Sequence, residues 1–319
     1  MRGYLARRVL FAAMLVFLVS SAAMVLTRLA PGDFASIVAA ERASPGQVAQ
    51  ERARYGLDRP IASHYFDWLL RAVRLDLGDS LLYSRPVGAL VRERAANTAL
   101  LALAALALAT LAGLPAGVYS GSRRGAGASV VRGASIVLLS LPSLVTSLVL
   151  VLVAARTGWF PVGGMVSGAS TGAGVAGWWA DVAWHLPLPA LALALPLAAT
   201  LERLQSQAMA DALGQPFTLA AVARGVPRRR VVWRHALRAS LSPVASVYGY
   251  VLAALLSGSF IVEVITSWPG LGRLLYDGLR ARDVYLVAGC AAAGSLFLAI
   301  GSLVSDLALA WADPRMRRG

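Results

Sequence analysis

Residues 217–243, FTLAAVARGVPRRRVVWRHALRASLSP, carry six arginines (Arg224, Arg228, Arg229, Arg230, Arg234 and Arg238) and no acid. The stretch lies between two long uncharged runs, 182–201 and 239–262, so it reads as a loop between membrane spans. Its first part reads as a short helix of small residues, Ala220, Ala221 and Ala223, with Gly225 as its C-cap and Pro227 shortly after. Small side chains fill no core of their own, but they let another surface approach the helix backbone closely. A basic, small-faced helix held at a membrane surface is suited to plugging into a partner protein. On charge alone the arginines also have a plainer use, marking the loop as cytoplasmic and setting topology. Both uses stay open on these residues alone.

Nothing else in the chain offers catalytic chemistry. Lysine is absent, so the phosphate-cradling loop GxxxxGK[ST] cannot exist and the chain does not bind ATP by that device. HExxH and GxSxG are missing, and no carboxylates pair inside a span. Ser257-Gly258-Ser259 has no histidine well inside a span to activate it. His64, His185 and His235 are too far apart for a metal-ligand spacing. Cys290, the single cysteine, allows neither an intrachain disulfide nor a thiolate metal site. The expected catalytic and metal-ligating sets are therefore empty, and the basic loop serves something other than catalysis.

The elements that must position this loop are membrane spans. Hydrophobic residues occupy 58% of 319 positions and the mean hydropathy is +0.65, well beyond an ordinary soluble domain. Charge is excluded from six runs, 9–27, 95–122, 133–155, 182–201, 239–262 and 284–305. Each has about the 18–20 residues that a helix needs to cross a bilayer. The expected fold is an all-α integral membrane protein with six transmembrane helices and a helical insertion between the first two. A seventh uncharged run, 157–180, holds seven glycines and ends near Trp178 and Trp179, so it reads as a loop at the interface.

The net charge of +14 invites a nucleic-acid reading, which a chain this apolar does not support. The charge is better used for orientation. Arg2, Arg7 and Arg8, then Arg123, Arg124 and Arg132, then the loop arginines, then Arg315, Arg317 and Arg318 fall on one side if spans alternate. Both termini are therefore expected in the cytoplasm. The opposite side holds 28–94, with ten arginines against eight acids, a segment too long for the charge rule to govern. The first span has a basic start and an SSAAM stretch that imitate a signal peptide, but its apolar region is too long for one, so a retained span is expected.

Span one should stop at Leu29-Ala30-Pro31-Gly32-Asp33. In the insertion, Ser44 and Pro45 start a helix running to about Tyr55, and Arg59-Pro60 start a second with Ile61, Tyr65, Trp68, Leu69 and Ala72 at helical spacing. Tyr65 and Trp68 suit the headgroup level, and as a stripe they also suit packing against the protein's own spans. Pro142 predicts a kink in span three, and Pro187, Pro189 and Pro196 argue against one straight helix in span four. Glu263 closes span five, either as a solvated helix terminus or as a group facing a pathway between subunits. Ser267-Trp268-Pro269-Gly270-Leu271-Gly272 reads as a turn with an interfacial tryptophan, and Asp313-Pro314-Arg315 stops the last helix.

Five blocks in order resemble the membrane-spanning subunit of dipeptide/oligopeptide-type ABC importers. They are Leu29-Ala30-Pro31-Gly32-Asp33; Tyr55-Gly56-Leu57-Asp58-Arg59-Pro60 with Asp76-Leu77-Gly78-Asp79-Ser80 and Arg85-Pro86-Val87; Gly158-Trp159-Phe160-Pro161-Val162; Ala221-x-Ala223-Arg224-Gly225 with Arg234-His235-Ala236-Leu237-Arg238; and Glu263-Val264-Ile265-Thr266-Ser267-Trp268-Pro269-Gly270-Leu271-Gly272. Leu219 stands at the family's glutamate position, Arg224 where a lysine is common, and Pro216 where the branch usually has an acid.

The resemblance implies a first span at 1–28, an extracytoplasmic insertion at 29–94, a five-helix permease core at 95–310 with its coupling loop at 208–243, and a cytoplasmic tail at 311–319. It implies a non-catalytic bacterial inner-membrane subunit that forms half of a translocation pathway for peptides. Its ATPase-coupling residues would be Ala220, Ala221, Ala223, Arg224, Gly225, Arg228, Arg229, Arg230, Arg234 and His235, with Glu263 as the pathway candidate. The chain itself holds no cofactor; ATP and Mg belong to one or two partner ATPase subunits. The other implied partners are a second homologous permease subunit, an extracytoplasmic substrate-binding protein and membrane lipid, with no nucleic acid. A secondary transporter or channel working without an ATPase is the alternative. Against it stands the lack of an internal repeat and of intramembrane ion-binding acids.

Overall fold

The computed structural model describes residues 2–37, 52, 58, 60–168 and 174–312. The described residues are helical almost throughout, and, apart from Arg52, the expected helix from Ser44 to about Tyr55 lies outside them. In chain order the helices are α1 (Arg2–Leu29), α2 (Ile61–Ala72), α3 (Val87–Ser122), α4 (Ala126–Ser140), α5 (Ser143–Thr157), α6 (Gly174–His185) and α7 (Pro187–Leu213). Next come α8 (Pro216–Ala223), α9 (Arg228–Arg230), a π-helical stretch (Val231–Ala236) and α10 (Leu237–Ala245). The chain closes with α11 (Tyr248–Gly258), α12 (Phe260–Ile265), α13 (Leu271–Ala281) and α14 (Val284–Ala312).

Four helices are long and apolar enough to cross a membrane, within α1, α3, α7 and α14, and a fifth span results if the bent pair α4 and α5 counts as one. The six continuous spans of the sequence reading are not all present as single helices among the described residues. Run 133–155 is no kinked rod, because its two helices diverge by 103°. The residue before a proline is pushed into extended backbone, and Leu141 before Pro142 has φ −88° and ψ 120°. At 1.5 Å per residue each 15-residue half is about 22 Å long, short of a hydrocarbon core of about 30 Å. Run 239–262 is likewise divided among α10, α11 and α12.

Span four departs in the opposite direction. Pro187 and Pro189 fall in the first turn of α7, where a missing N–H removes no bond, and α7 continues through Pro196 to Leu213. Residues 174–180, expected as the end of the 157–180 loop, belong to α6, which runs to His185 with Val182 and His185 buried.

The chain divides into two compact units, one of residues 1–99 and 269–299 and the other of 100–268 and 300–319. In the first unit α2 lies against α1. Trp68 is buried with Met24, Val284 and Ala288, flanked by Tyr65, Leu69 and Ala72. Trp68 is thus a core residue and not a headgroup anchor, while the Tyr65 hydroxyl reaches Ser21 Oγ at 2.9 Å. A second cluster joins Val87 and Leu90 of α3 to Leu271 and Leu274 of α13 and to Leu286 and Cys290 of α14. Asp283 ties the 80–82 segment to the start of α14. It is fully buried and accepts bonds from Ser80 Oγ (2.7 Å), Leu82 N–H (3.0 Å) and Leu286 N–H (3.1 Å).

Beyond α1, Asp33 accepts from Ser36 N–H at 2.9 Å and from Arg52 Nε at 2.6 Å. Burial raises its pKa, but the Arg52 bond and charge and the Ser36 bonds outweigh that, and the carboxyl sits below its usual range. A depressed folded-state pKa stabilises the protein above the unfolded value of about 3.9, and that contribution disappears as pH falls through the folded value. Thermal unfolding followed from about pH 5 down to pH 3 should therefore show an acid-labile component that Asp33→Asn lacks.

The second unit is built around α7, against which α4, α5 and α10 pack. Its main core combines Leu101, Ala105 and Ala109 of α3, Ala192 and Leu201 of α7, Val251 of α11 and Trp268. Trp268, expected at the interface, is fully buried. Its turn is held from below by the two glycines after Val162. Gly164 N–H donates to Thr266 O at 2.9 Å, and a Cβ on Gly163 would lie 2.7 Å from the same oxygen.

Candidate functional site

Helix α8, the expected plug, begins at Pro216 and ends at Ala223. Gly225 follows with φ +76°. Its N–H donates to Val222 O at 2.9 Å, and Val226 N–H donates to Ala221 O at 3.1 Å. This paired closure requires left-handed backbone, which glycine adopts without strain. Thr218, which sequence reasoning passed over, anchors the helix. Its buried hydroxyl lies 2.9 Å from Ala212 O and 3.0 Å from Leu213 O, the last carbonyls of α7, so α8 is fastened to the end of that helix.

The orientation of α8 differs from the expected one. Ala221 is 1% exposed and faces the protein's own body, where α8 packs on the end of α7 and on the π-helical stretch. It therefore cannot meet a partner. The small side chain permits close approach within the chain. The outward face carries Ala220 and Ala223 together with Phe217 (46% exposed), Leu219 (56%) and Val222 (56%). Helical spacing alone does not say which stripe of a short apolar helix is turned inward, so these larger residues were not singled out.

Behind α8 the chain is tied to the ends of two long helices. Val232 and Ala236 are buried with Val118 of α3 and with Met209 and Ala212 of α7. Arg228 donates to Ser122 O at 2.9 Å, meeting the negative end of α3. Gln205 Nε2 donates to Ser240 Oγ at 2.8 Å across α7 and α10. Arg224, Arg229, Arg230 and Arg234 are exposed and His235 is half-buried. The arrangement can present exposed apolar side chains and positive charge on a base tied to two long helices.

Those two helices approach closely because α3 presents glycine at every fourth position to α7. An added Cβ would stand 2.6 Å from Ala198 O at Gly113, 2.6 Å from Glu202 O at Gly117 and 2.3 Å from Ser206 O at Gly121. A four-residue repeat of glycine on one helix is a recurrent solution for close packing in lipid. Alongside it, Ser120 Oγ donates to the buried Glu202 carboxylate.

Of the two places left open for Glu263, the solvated terminus is excluded. It lies in α12, is fully buried within the chain, and accepts from Ser259 Oγ at 2.7 Å. Among the described residues no three His, Cys, Asp or Glu side chains gather as a metal-holding group.

Comparison with known proteins joins these features to a family. Residues 113–318 match the family described as binding-protein-dependent transport system inner membrane component, and residues 1–79 match its N-terminal companion. The chain is 32% identical over 319 residues to an oligopeptide transport system permease protein (AppB) of Bacillus subtilis (strain 168), covering 99% of each. It is 35% identical over 325 residues to one (OppB) of Mycobacterium tuberculosis (strain ATCC 25618 / H37Rv), again covering 99% of each. A putative peptide transport system permease protein of Brucella abortus (strain 2308) is 34% identical over 320 residues with the same coverage. With apolar helices, a basic inter-helix segment and full-length likeness in agreement, this chain belongs to the family of binding-protein-dependent transport system inner membrane components.

Proposed function

We propose that the chain is the membrane-spanning permease subunit of an ABC importer for di- or oligopeptides, forming half of the translocation pathway beside a second homologous permease subunit. The broken runs 133–155 and 239–262 each complete a crossing, giving six passes in the inner membrane with both termini cytoplasmic and an extracytoplasmic insertion between the first two. Segment 208–243 seats in a cleft of a separate ATPase subunit, which carries ATP and Mg. A substrate-binding protein delivers peptide on the opposite side. The peptide assignment follows the names of the relatives.

The observation that carries the coupling role is the exposed apolar side chains of Phe217, Leu219 and Val222 around α8, followed by exposed Arg224, Arg230 and Arg234, in a segment fastened to α3 and α7. Exposed apolar surface favours burial in a partner, and the fastening passes a push on α8 to the long helices. Nucleotide drives transport only through differential affinity for two states of the bundle.

Gly225→Trp tests this directly. A Cβ there meets nothing within 4 Å and the position is exposed, so the variant should still reach the membrane. Loss of the left-handed turn costs about 1–2 kcal/mol, and the indole obstructs the seat. Co-purification of the ATPase subunit should fall at least about tenfold, equivalent to 1.4 kcal/mol, while Gly225→Asn, which tolerates the turn, keeps most of it. Normal association and uptake in Gly225→Trp would refute the coupling role. Peptide flux in proteoliposomes without any ATPase would favour the secondary transporter or channel.

A further inference from the structure

Arg123, Arg228 and Arg229 line one cavity of about 330 Å³ together with Tyr119 and Trp233. Apart from Ser122, the rest of its wall is apolar, from Pro115, Val118 and Val232. The cavity lies where the last turns of α3, an apolar helix long enough to cross a membrane, meet the π-helical stretch. Among the described residues lining it there is no carboxylate.

The components are set out in a definite way. Arg228 is held by its bond to Ser122 O, which leaves other N–H groups of its five free for a ligand. The Arg123 guanidinium lies 5.1 Å from the Tyr119 ring centroid, and both Arg123 and Arg229 are exposed. Trp233 is 56% exposed beside buried Val232. An indole left open to its surroundings beside the end of a span-length helix is the pattern of a side chain that meets headgroups.

We propose that this cavity binds the headgroup of an anionic phospholipid from the surrounding bilayer. The phosphodiester oxygens accept from the guanidinium groups, and the glycerol and first methylenes lie on Pro115, Val118 and Val232. Basic pockets between spans at a membrane surface take lipid phosphates for this reason. The apolar wall separates this ligand from two others. Inorganic phosphate gains nothing from it, and a water-soluble subunit cannot follow the side of a span into lipid.

The test uses the purified full-length chain, with retained lipid counted by native mass spectrometry and binding followed by the fluorescence of Trp233, identified through Trp233→Phe. Phosphatidylglycerol should be held in preference to phosphatidylcholine. Arg123→Gln with Arg229→Gln should weaken phosphatidylglycerol binding on the order of twentyfold, at about 1 kcal/mol per arginine near the surface. Arg238→Gln, which removes one charge outside the cavity, should change it less than about twofold. Equal retention of phosphatidylcholine, or unchanged binding in the double variant, would overturn the proposal. So would displacement of the lipid by inorganic phosphate, which makes this a free-anion site, or by the ATPase subunit, which makes it part of the coupling interface.

Discussion

Valine at both Gly117 and Gly121 is expected to destabilise the protein more than any exposed substitution in the coupling segment. The new Cβ atoms would stand 2.6 Å from Glu202 O and Gln205 Cβ, and 2.3 Å from Ser206 O. Two of these obstacles are backbone carbonyls of α7 that cannot rotate away, and Gln205 is fully buried. Overpacking costs about 1–3 kcal/mol per site, and rigid obstacles put both sites at the upper end. The helices must separate, which strains the Ser120–Glu202 bond and loosens Val118 from Met209, the packing on which the basic segment rests. The readout is the thermal unfolding midpoint in detergent by size-exclusion chromatography. Gly133→Val on α4 is the control, since a Cβ there meets nothing within 4 Å. A double variant melting with that control would show that α3 and α7 have room to spare.

Asp283→Ala should come close to that effect by a different route. Removing the carboxylate strands the buried Ser80 hydroxyl and the N–H groups of Leu82 and Leu286. Loss of a helix N-cap costs about 1 kcal/mol, and hydrogen bonds to a charged group contribute about 1.5–3 kcal/mol. A fall of about 3 kcal/mol is expected, mostly as a faster unfolding rate if the 80–86 loop closes late in folding. Asp283→Asn keeps an acceptor for Leu286 N–H and should recover part of the loss. Chemical denaturation in mild detergent distinguishes the three proteins, and equal midpoints for all of them would show that the loop and α14 are held together by apolar contacts alone.

The particular residues show how much was legible. The runs without charge are readable because the penalty for charge in hydrocarbon falls on each residue separately, whatever its neighbours in space. The helix 216–223 and its glycine closure were readable for a similar reason, since cap chemistry is satisfied within a few residues. Thr218 and Asp283 were not readable. Each is an ordinary polar residue in sequence, given its role by carbonyls or N–H groups that other segments bring to it. Trp68 and Trp268 were placed at the interface on residue type, whereas packing drew both into cores.

By itself the sequence determined that this chain lives in a membrane and that its basic segment follows a long apolar helix. Only the tertiary structure decided which side of α8 faces outward, that Ala221 and Glu263 are closed off, and that run 133–155 breaks through 103°. The physical reason is a difference in range. Hydropathy and capping are sums over neighbouring residues, but a face is turned inward only because a distant surface of the right depth is there to receive it.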